Sequence, residues 1–271
     1  MKPETINSRD NSLLRRARAV RDGKIEESIF VEGLRLCEEA VRSALPIEAV
    51  IFSEELARKE KARALLNELA QLSDRLASVS EALLASISYT RTPQGIVLLA
   101  ARPKMDQVKF KASQPASPLL VLMHGINNPV NVGAILRTAE AAGASGVITT
   151  ANTSDPFSAK ALRGAMGSAF RVPVWTKASY AEVINWCKES GIETVCADVE
   201  GTSLYSAVDW TRSKALIMGP ESEGLSEEEL ASANEVIRIP MHGQVESLNV
   251  GVAAAILLYE AARQRASKIG T

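Results

Sequence analysis

The second part of the chain alternates two kinds of segment, and that alternation constrains the fold more than any other feature. Short runs at Leu119–His124, Gly146–Thr150, Val172–Trp175, Glu193–Ala197, Lys214–Met218 and Glu235–Ile239 read as strands. Helical patterns fill the gaps at Asn131–Ala142, Ser158–Ala169, Tyr180–Glu189, Ser226–Ala233 and Leu248–Arg265. Leu119–His124 and Lys214–Met218 lack apolar–polar alternation, as strands covered on both faces do. Gly143 closes the first helix. Ser226, with Glu229 three residues on, forms a capping box. Strand–helix repetition predicts a parallel sheet with helices on both sides. Ligands in such sheets bind beyond the carboxyl ends of the strands, so chemistry belongs in the loops after Leu122, Met218 and Ile239.

The first part reads as a smaller α/β domain. A basic helix covers about Ser8–Arg21, and strand Ser28–Glu32 leads into helix Gly33–Ala44, which ends before Pro46. Strand Ile47–Phe52, a helical run over Glu54–Leu72, a short strand Leu76–Ser78 and a last strand Gly95–Ala101 follow. Ala101–Ser117, with Pro103, Pro115 and no sustained period, reads as a linker. The expected division is 1–101, a linker at 102–117, and 118–271.

Lys plus Arg number 31 and Asp plus Glu 32, which argues against wholesale electrostatic binding of nucleic acid. The balance hides a local excess: Arg9, Arg15, Arg16, Arg18, Arg21 and Lys24 face only Asp10 and Asp22. Such a patch suits a solvated helix face or an RNA contact. No apolar run approaches the roughly 20 residues of a membrane helix. The first residues lack the apolar core of a secretion signal. Three scattered cysteines, Cys37, Cys187 and Cys196, suit a reducing cytoplasm and read as small buried hydrophobes. The dinucleotide fingerprint G-x-G-x-x-G and the nucleophile elbow G-x-S-x-G are both missing. Gly219–Ser226 mimics the glycine spacing of a phosphate loop, but Leu225 stands in the lysine position, and Glu221 and Glu223 would repel phosphates. With only His124 and His242, both read as structural residues, no metal is expected.

Three loops remain: Asn127–Ala139, Ile217–Leu225 and Ile239–Val250. Arg137 points away from the apolar helix face made by Val132, Ile135, Leu136 and Ala139. Small neighbours, Gly133, Ala134 and Ala141, leave it either solvated or open to close approach by a ligand or another subunit. Asn131 and Ser247 are natural helix N-caps. Gly219 and Pro220 end a strand without bulk, as a tight turn or a slot for a planar ligand. Glu221 is a loop carboxylate.

Together, in this order and spacing, the three loops resemble the signatures of the SpoU family, the trefoil-knot ribose 2′-O-methyltransferases of tRNA and rRNA. The resemblance runs from about Pro118 to Ala262, with a weaker stretch over Asp155–Pro173. The first domain resembles the L30e/L7Ae-like substrate-binding domain of the ribosomal-RNA branch. The resemblance implies a deep knot, a homodimer and S-adenosylmethionine as methyl donor to a ribose 2′-hydroxyl. Ribosomal RNA ranks ahead of tRNA, and a catalytically silent RNA-binding protein is the other reading. Arg137, Asn131, Glu221, Ser247 and Asn249 are the implied catalytic groups. Met218, Gly219, Ile239 and Leu248 are implied to hold the donor. Arg15, Arg16, Arg18, Lys160, Arg163 and Arg171 are the candidate RNA contacts. A neutral guanidine is rare near pH 7, so Arg137 is either a strongly perturbed base or an electrostatic stabiliser of the oxyanion. The location implied is the cytoplasm.

Overall fold

The structure, a computed structural model, describes residues 3–269. In chain order the elements are β1 (Glu4–Ile6), α1 (Ser12–Arg21), β2 (Ser28–Glu32), α2 (Leu34–Arg42), β3 (Ile47–Ser53), α3 (Glu54–Ala57), α4 (Glu60–Leu72), β4 (Leu76–Val79), α5 (Glu81–Ile87), β5 (Ile96–Ala101) and α6 (Gln107–Ala112). There follow β6 (Leu119–Met123), α7 (Pro129–Ala141), β7 (Gly146–Thr150), α8 (Ala159–Ala165), α9 (Ser168–Arg171), β8 (Val174–Ala178), α10 (Tyr180–Glu189), β9 (Glu193–Ala197) and β10 (Ser203–Leu204). A single 3₁₀ turn, β11 (Lys214–Met218), α11 (Glu227–Ser232), β12 (Glu235–Arg238) and α12 (Val250–Ile269) complete the chain.

Two compact units result. One runs to Lys104 and takes in Phe157–Arg171; the other holds Met105–Pro156 and everything from Val172. The helical segment α8–α9 thus packs with the earlier residues, although its place in the sequence suggests the later sheet. Its Ala159 lies against the first unit's core of Leu13, Leu14, Phe30, Ile51 and Leu99. The first sheet has the order β1-β4-β3-β5-β2, with β5 antiparallel to both neighbours. The second has the order β10-β12-β9-β11-β6-β7-β8, with every pair parallel. Its central strands β6 and β11 are buried throughout, which is why neither alternates.

Several boundaries differ from the expectation, each for a local reason. The stretch read as a linker contains α6, capped by Asp106, whose side chain accepts the Lys109 N–H. Phe110 on that helix is fully buried, with its ring 5.8 Å from Trp175 and 6.0 Å from Trp186. Six residues between prolines show no period, yet one buried aromatic suffices to seat them. The helix expected over Glu54–Leu72 breaks at Lys59, whose backbone is extended. The one expected over Ser158–Ala169 breaks where Met166 turns left-handed at φ 49°. Elements β1, α5 and β10 were not foreseen.

Candidate functional site

The crevice of the second sheet follows from its connections. From β6 the chain leaves toward β7, and from β11 toward β12 on the opposite side. Strand order therefore reverses between β6 and β11, where such sheets open a binding crevice. The two strands end level, Met123 beside Met218, and the His124 N–H donates to the Met218 carbonyl at 2.9 Å. The loops that follow touch at once. A Cβ on Gly125, which has φ +64°, would lie 2.8 Å from Cγ of Pro220. The first loop is also pinned from β7's end: Thr153 donates to the Met123 carbonyl at 2.8 Å and Ser154 to that of Asn127 at 2.5 Å.

One amide joins three distant segments. Asn131 is 6% exposed, in the first turn of α7. Its Nδ2 donates to Oε1 of Glu221 at 2.6 Å, and its Oδ1 accepts from Nδ2 of Asn249 at 3.3 Å. A bond that short to a carboxylate is charge-assisted. Asn131 does not cap α7; Asn128 does, accepting the Val130 N–H at 3.0 Å. The expected cap role of Ser247 also moves. Asn249 accepts the Gly251 N–H at 3.0 Å and its carbonyl receives the Ala253 N–H, so α12 starts two residues after the expected Leu248. With Asn128 as the cap, the Asn131 side chain is released to bridge the loops.

The other expected residues are placed as follows. Arg137 lies on the exposed side of α7, seven residues after the half-exposed Val130. The face Val132, Ile135, Leu136 and Ala139 is fully buried, as the spacing predicted. Among the described residues, Arg137 forms no ion pair. Ser247 is exposed in the third loop. Met218 is 3% exposed, while Gly219, Ile239 and Leu248 are half-buried. Gly219 is small because of its own loop: a Cβ there would meet Cγ of Leu225 at 2.8 Å.

Sequence reasoning missed a polar group behind the second loop. Nε2 of His124 is 2.9 Å from Oε1 of Glu229. Glu229 closes the expected capping box, its Oε2 accepting the Ser226 N–H at 2.9 Å. Burial raises this carboxyl, but the Ser226 N–H and His124 outweigh it and hold it below its ordinary range. The Tyr180 hydroxyl donates to the Glu229 carbonyl at 3.1 Å, and burial pushes that phenol up to about 12. His124 thus grips both ends of the loop Gly219–Leu225, the entrance by its N–H and the exit through α11. Its position at a strand end was the visible signal. Burial pushes the Cys187 and Cys196 thiols up to about 12, and that of Cys37 higher still. Such thiols are poor nucleophiles.

In the first unit, Arg15, Lys160 and Arg163 are exposed and unpaired among the described residues. Arg16 pairs with Glu48 at 2.7 Å, Arg171 is engaged by Glu39, and Arg18 donates to the Arg9 carbonyl at 2.9 Å. Three of the six candidate RNA contacts are thus tied within the fold. Among the described residues no helix is long and apolar enough to cross a membrane.

A model of the SpoU rRNA Methylase family matches residues 118–259, and one of the MRM3-like substrate binding domain matches residues 13–98. The 23S rRNA (guanosine-2′-O-)-methyltransferase RlmB of Bordetella pertussis is 34% identical over 219 residues, 79% of this chain and 89% of that protein. The AdoMet-bound rRNA methyltransferase from Sinorhizobium meliloti superposes with TM-score 0.85 at 28% identity, covering 96% of this chain and 97% of that one. The SpoU methyltransferase AviRb from Streptomyces viridochromogenes, in complex with AdoMet, superposes with TM-score 0.85 at 27% identity over 95% and 99% of the two chains.

Proposed function

Because the chain belongs to the SpoU rRNA methylase family, we propose that it transfers a methyl group from S-adenosylmethionine to a ribose 2′-hydroxyl of ribosomal RNA. The observation that carries this is Asn131 holding Glu221 and Asn249, which brings the three loops into one crevice. Relatives named for 23S rRNA make the large-subunit RNA the first substrate to test.

The residues present fit the donor. Half-buried Ile239 and Leu248 offer apolar walls, and the Gly219–Leu225 loop offers backbone donors and acceptors. An adenine needs that combination. Met218 backs the slot, its carbonyl already receiving the His124 N–H. When bound, S-adenosylmethionine supplies an electrophilic methyl group on its sulfonium.

The chain's own groups act on the RNA oxygen. A ribose hydroxyl is a poor nucleophile, so its proton must leave or its growing charge must be stabilised. Arg137, exposed and without an ion-pair partner among the described residues, stabilises that charge or grips the adjacent phosphate. Asn131 and Glu221 hold the first and second loops in register, and Asn249 and Ser247 extend the polar edge. Arg15, Lys160 and Arg163 contact RNA phosphates; Arg16, Arg18 and Arg171 do so after exchanging an internal partner. The second unit carries the knot and pairs with a second copy. The exposed Val252 and Tyr259 on α12 supply an apolar face for that contact. The location is the cytoplasm, where ribosomal RNA is met.

The test is transfer of labelled methyl from S-adenosylmethionine to unmodified ribosomal RNA, with 2′-O-methyl sites mapped afterwards. Transfer to a defined ribose supports the reading. Tight RNA binding with no transfer to any RNA means a silent binder on the same scaffold.

A further inference from the structure

The segment Ser88–Gln94 of the first unit is held from two sides by opposite charges. On one side Nη1 of Arg21 donates to the carbonyls of Ile87 at 3.1 Å and Ser88 at 3.3 Å. On the other, Oε2 of Glu32 accepts the N–H groups of Tyr89 at 2.8 Å and Thr90 at 3.3 Å. Oε1 of the same carboxylate accepts the Thr90 hydroxyl at 2.6 Å. Further on, Oε1 of Gln94 accepts the Leu34 N–H at 3.2 Å. The backbone on both sides of Tyr89 is therefore fixed, yet the Tyr89 side chain points outward and the residue is 46% exposed.

That exposure is unusual within the unit. Phe30, Phe52 and Phe157 are buried at 2%, 4% and 4%, and Phe170 is half-buried. Tyr89 is the unit's one exposed aromatic among the described residues. Nothing in the packing needs it there, and the neighbouring Arg91 and Thr92 are exposed as well. A rigid, exposed aromatic face is the surface on which an unpaired nucleobase stacks. A tyrosine has few torsions to freeze, and its backbone is already immobilised, so stacking costs little ordering entropy.

Resting on the reading of the chain as an RNA methyltransferase, we infer that Tyr89, with Arg91 beside it, is a stacking platform for an unpaired base of the RNA substrate. The platform supplies sequence-tolerant grip where Arg15, Lys160 and Arg163 supply charge. Glu32 and Arg21 are its positioning residues, acting through the backbone they hold.

The test uses the full chain and an unmodified transcript of large-subunit ribosomal RNA. Tyr89→Ala is expected to weaken RNA binding, and to raise the RNA KM, by about tenfold or more. The kcat at saturating RNA should hold. Tyr89→Phe and Tyr89→Trp should keep wild-type affinity, because each keeps a π-face. Tyr89→Leu should behave like Tyr89→Ala, which separates stacking from simple apolar contact. Calorimetry with S-adenosylmethionine and thermal melting should give wild-type values for all four, since the side chain is exposed. Wild-type affinity in Tyr89→Ala, or in Tyr89→Leu, overturns the inference alone. A wild-type chain that methylates no RNA overturns instead the reading beneath it.

Discussion

Exchanging Asn131 for Asp replaces one nitrogen by oxygen and should damage the site more than truncating the side chain. Asn131→Ala removes a charge-assisted bond to Glu221 and a longer neutral one to Asn249. Bonds to charged groups contribute about 1.5–3 kcal/mol each. Glu221 is exposed and regains water on release, so the lower end applies. The loss is then about 2 kcal/mol, near thirtyfold in kcat/KM. Asn131→Asp loses the same donor and sets two carboxylates against each other. Unit charges about 4 Å apart repel by about 1 kcal/mol in water and about 4 at a protein surface. The sum is about 3–6 kcal/mol, from about a hundredfold to about ten-thousandfold or more. The assay is labelled-methyl transfer to ribosomal RNA, with calorimetry for donor binding. Two features mark the cause. Acidification should partly rescue Asn131→Asp, because one of two facing carboxyls takes a proton and becomes a donor. Adding Glu221→Gln should also rescue it, because the amide then donates in the reverse direction. If Asn131→Asp is as active as wild type, or more active than Asn131→Ala, the bridge is not what assembles the loops.

Three further outcomes are expected. Arg137→Ala should bind S-adenosylmethionine within about twofold of wild type and lose transfer by about a hundredfold or more; normal methylation by this variant would remove Arg137 from the reaction. Arg265 donates to the carbonyls of Trp210 at 2.8 Å, Ser117 at 3.0 Å, Pro118 at 3.2 Å and Arg212 at 2.6 Å. Arg265→Ala should therefore cost about 3 kcal/mol in urea unfolding, with Arg265→Lys recovering only part because an ammonium cannot span the four carbonyls; a loss under about 1 kcal/mol would show water replacing the clamp. Glu229 has a carboxyl held below its ordinary value of 4.5, so its stabilisation is complete above that value and is lost as pH falls through the folded value. The stability gap between wild type and Glu229→Gln should be flat from about pH 6 to 8 and close below about 4.5; a gap that closes near neutrality would point to another group.

Much was visible in the residues alone because it is local. The apolar runs of β6 and β11, the alternation of strand and helix, the buried face of α7 and the Ser226 capping box depend on neighbours within a few positions. The three loops could be picked out because each follows such a strand. What escaped involves contacts far apart in sequence. Asn128 and Asn131 have the same side chain three residues apart, and only the approach of Glu221 and Asn249 decides which one caps and which one bridges. Ser247 and Asn249 are separated in the same way, by where α12 begins to pack. His124 read as a structural residue, but its partner stayed hidden because Glu229 lies over a hundred positions away in the chain. The helix α6 was invisible because Phe110 is held by Trp175 and Trp186.

The amino-acid order by itself determined the fold class and the parallel sheet, since these follow from periodicity and from the handedness of strand–helix connections. Tertiary structure decided which of several equivalent polar side chains face one another, and that α8 and α9 pack with the first unit. Hydrogen bonds and ion pairs act over about 3 Å, and only the folded chain brings such partners within that range.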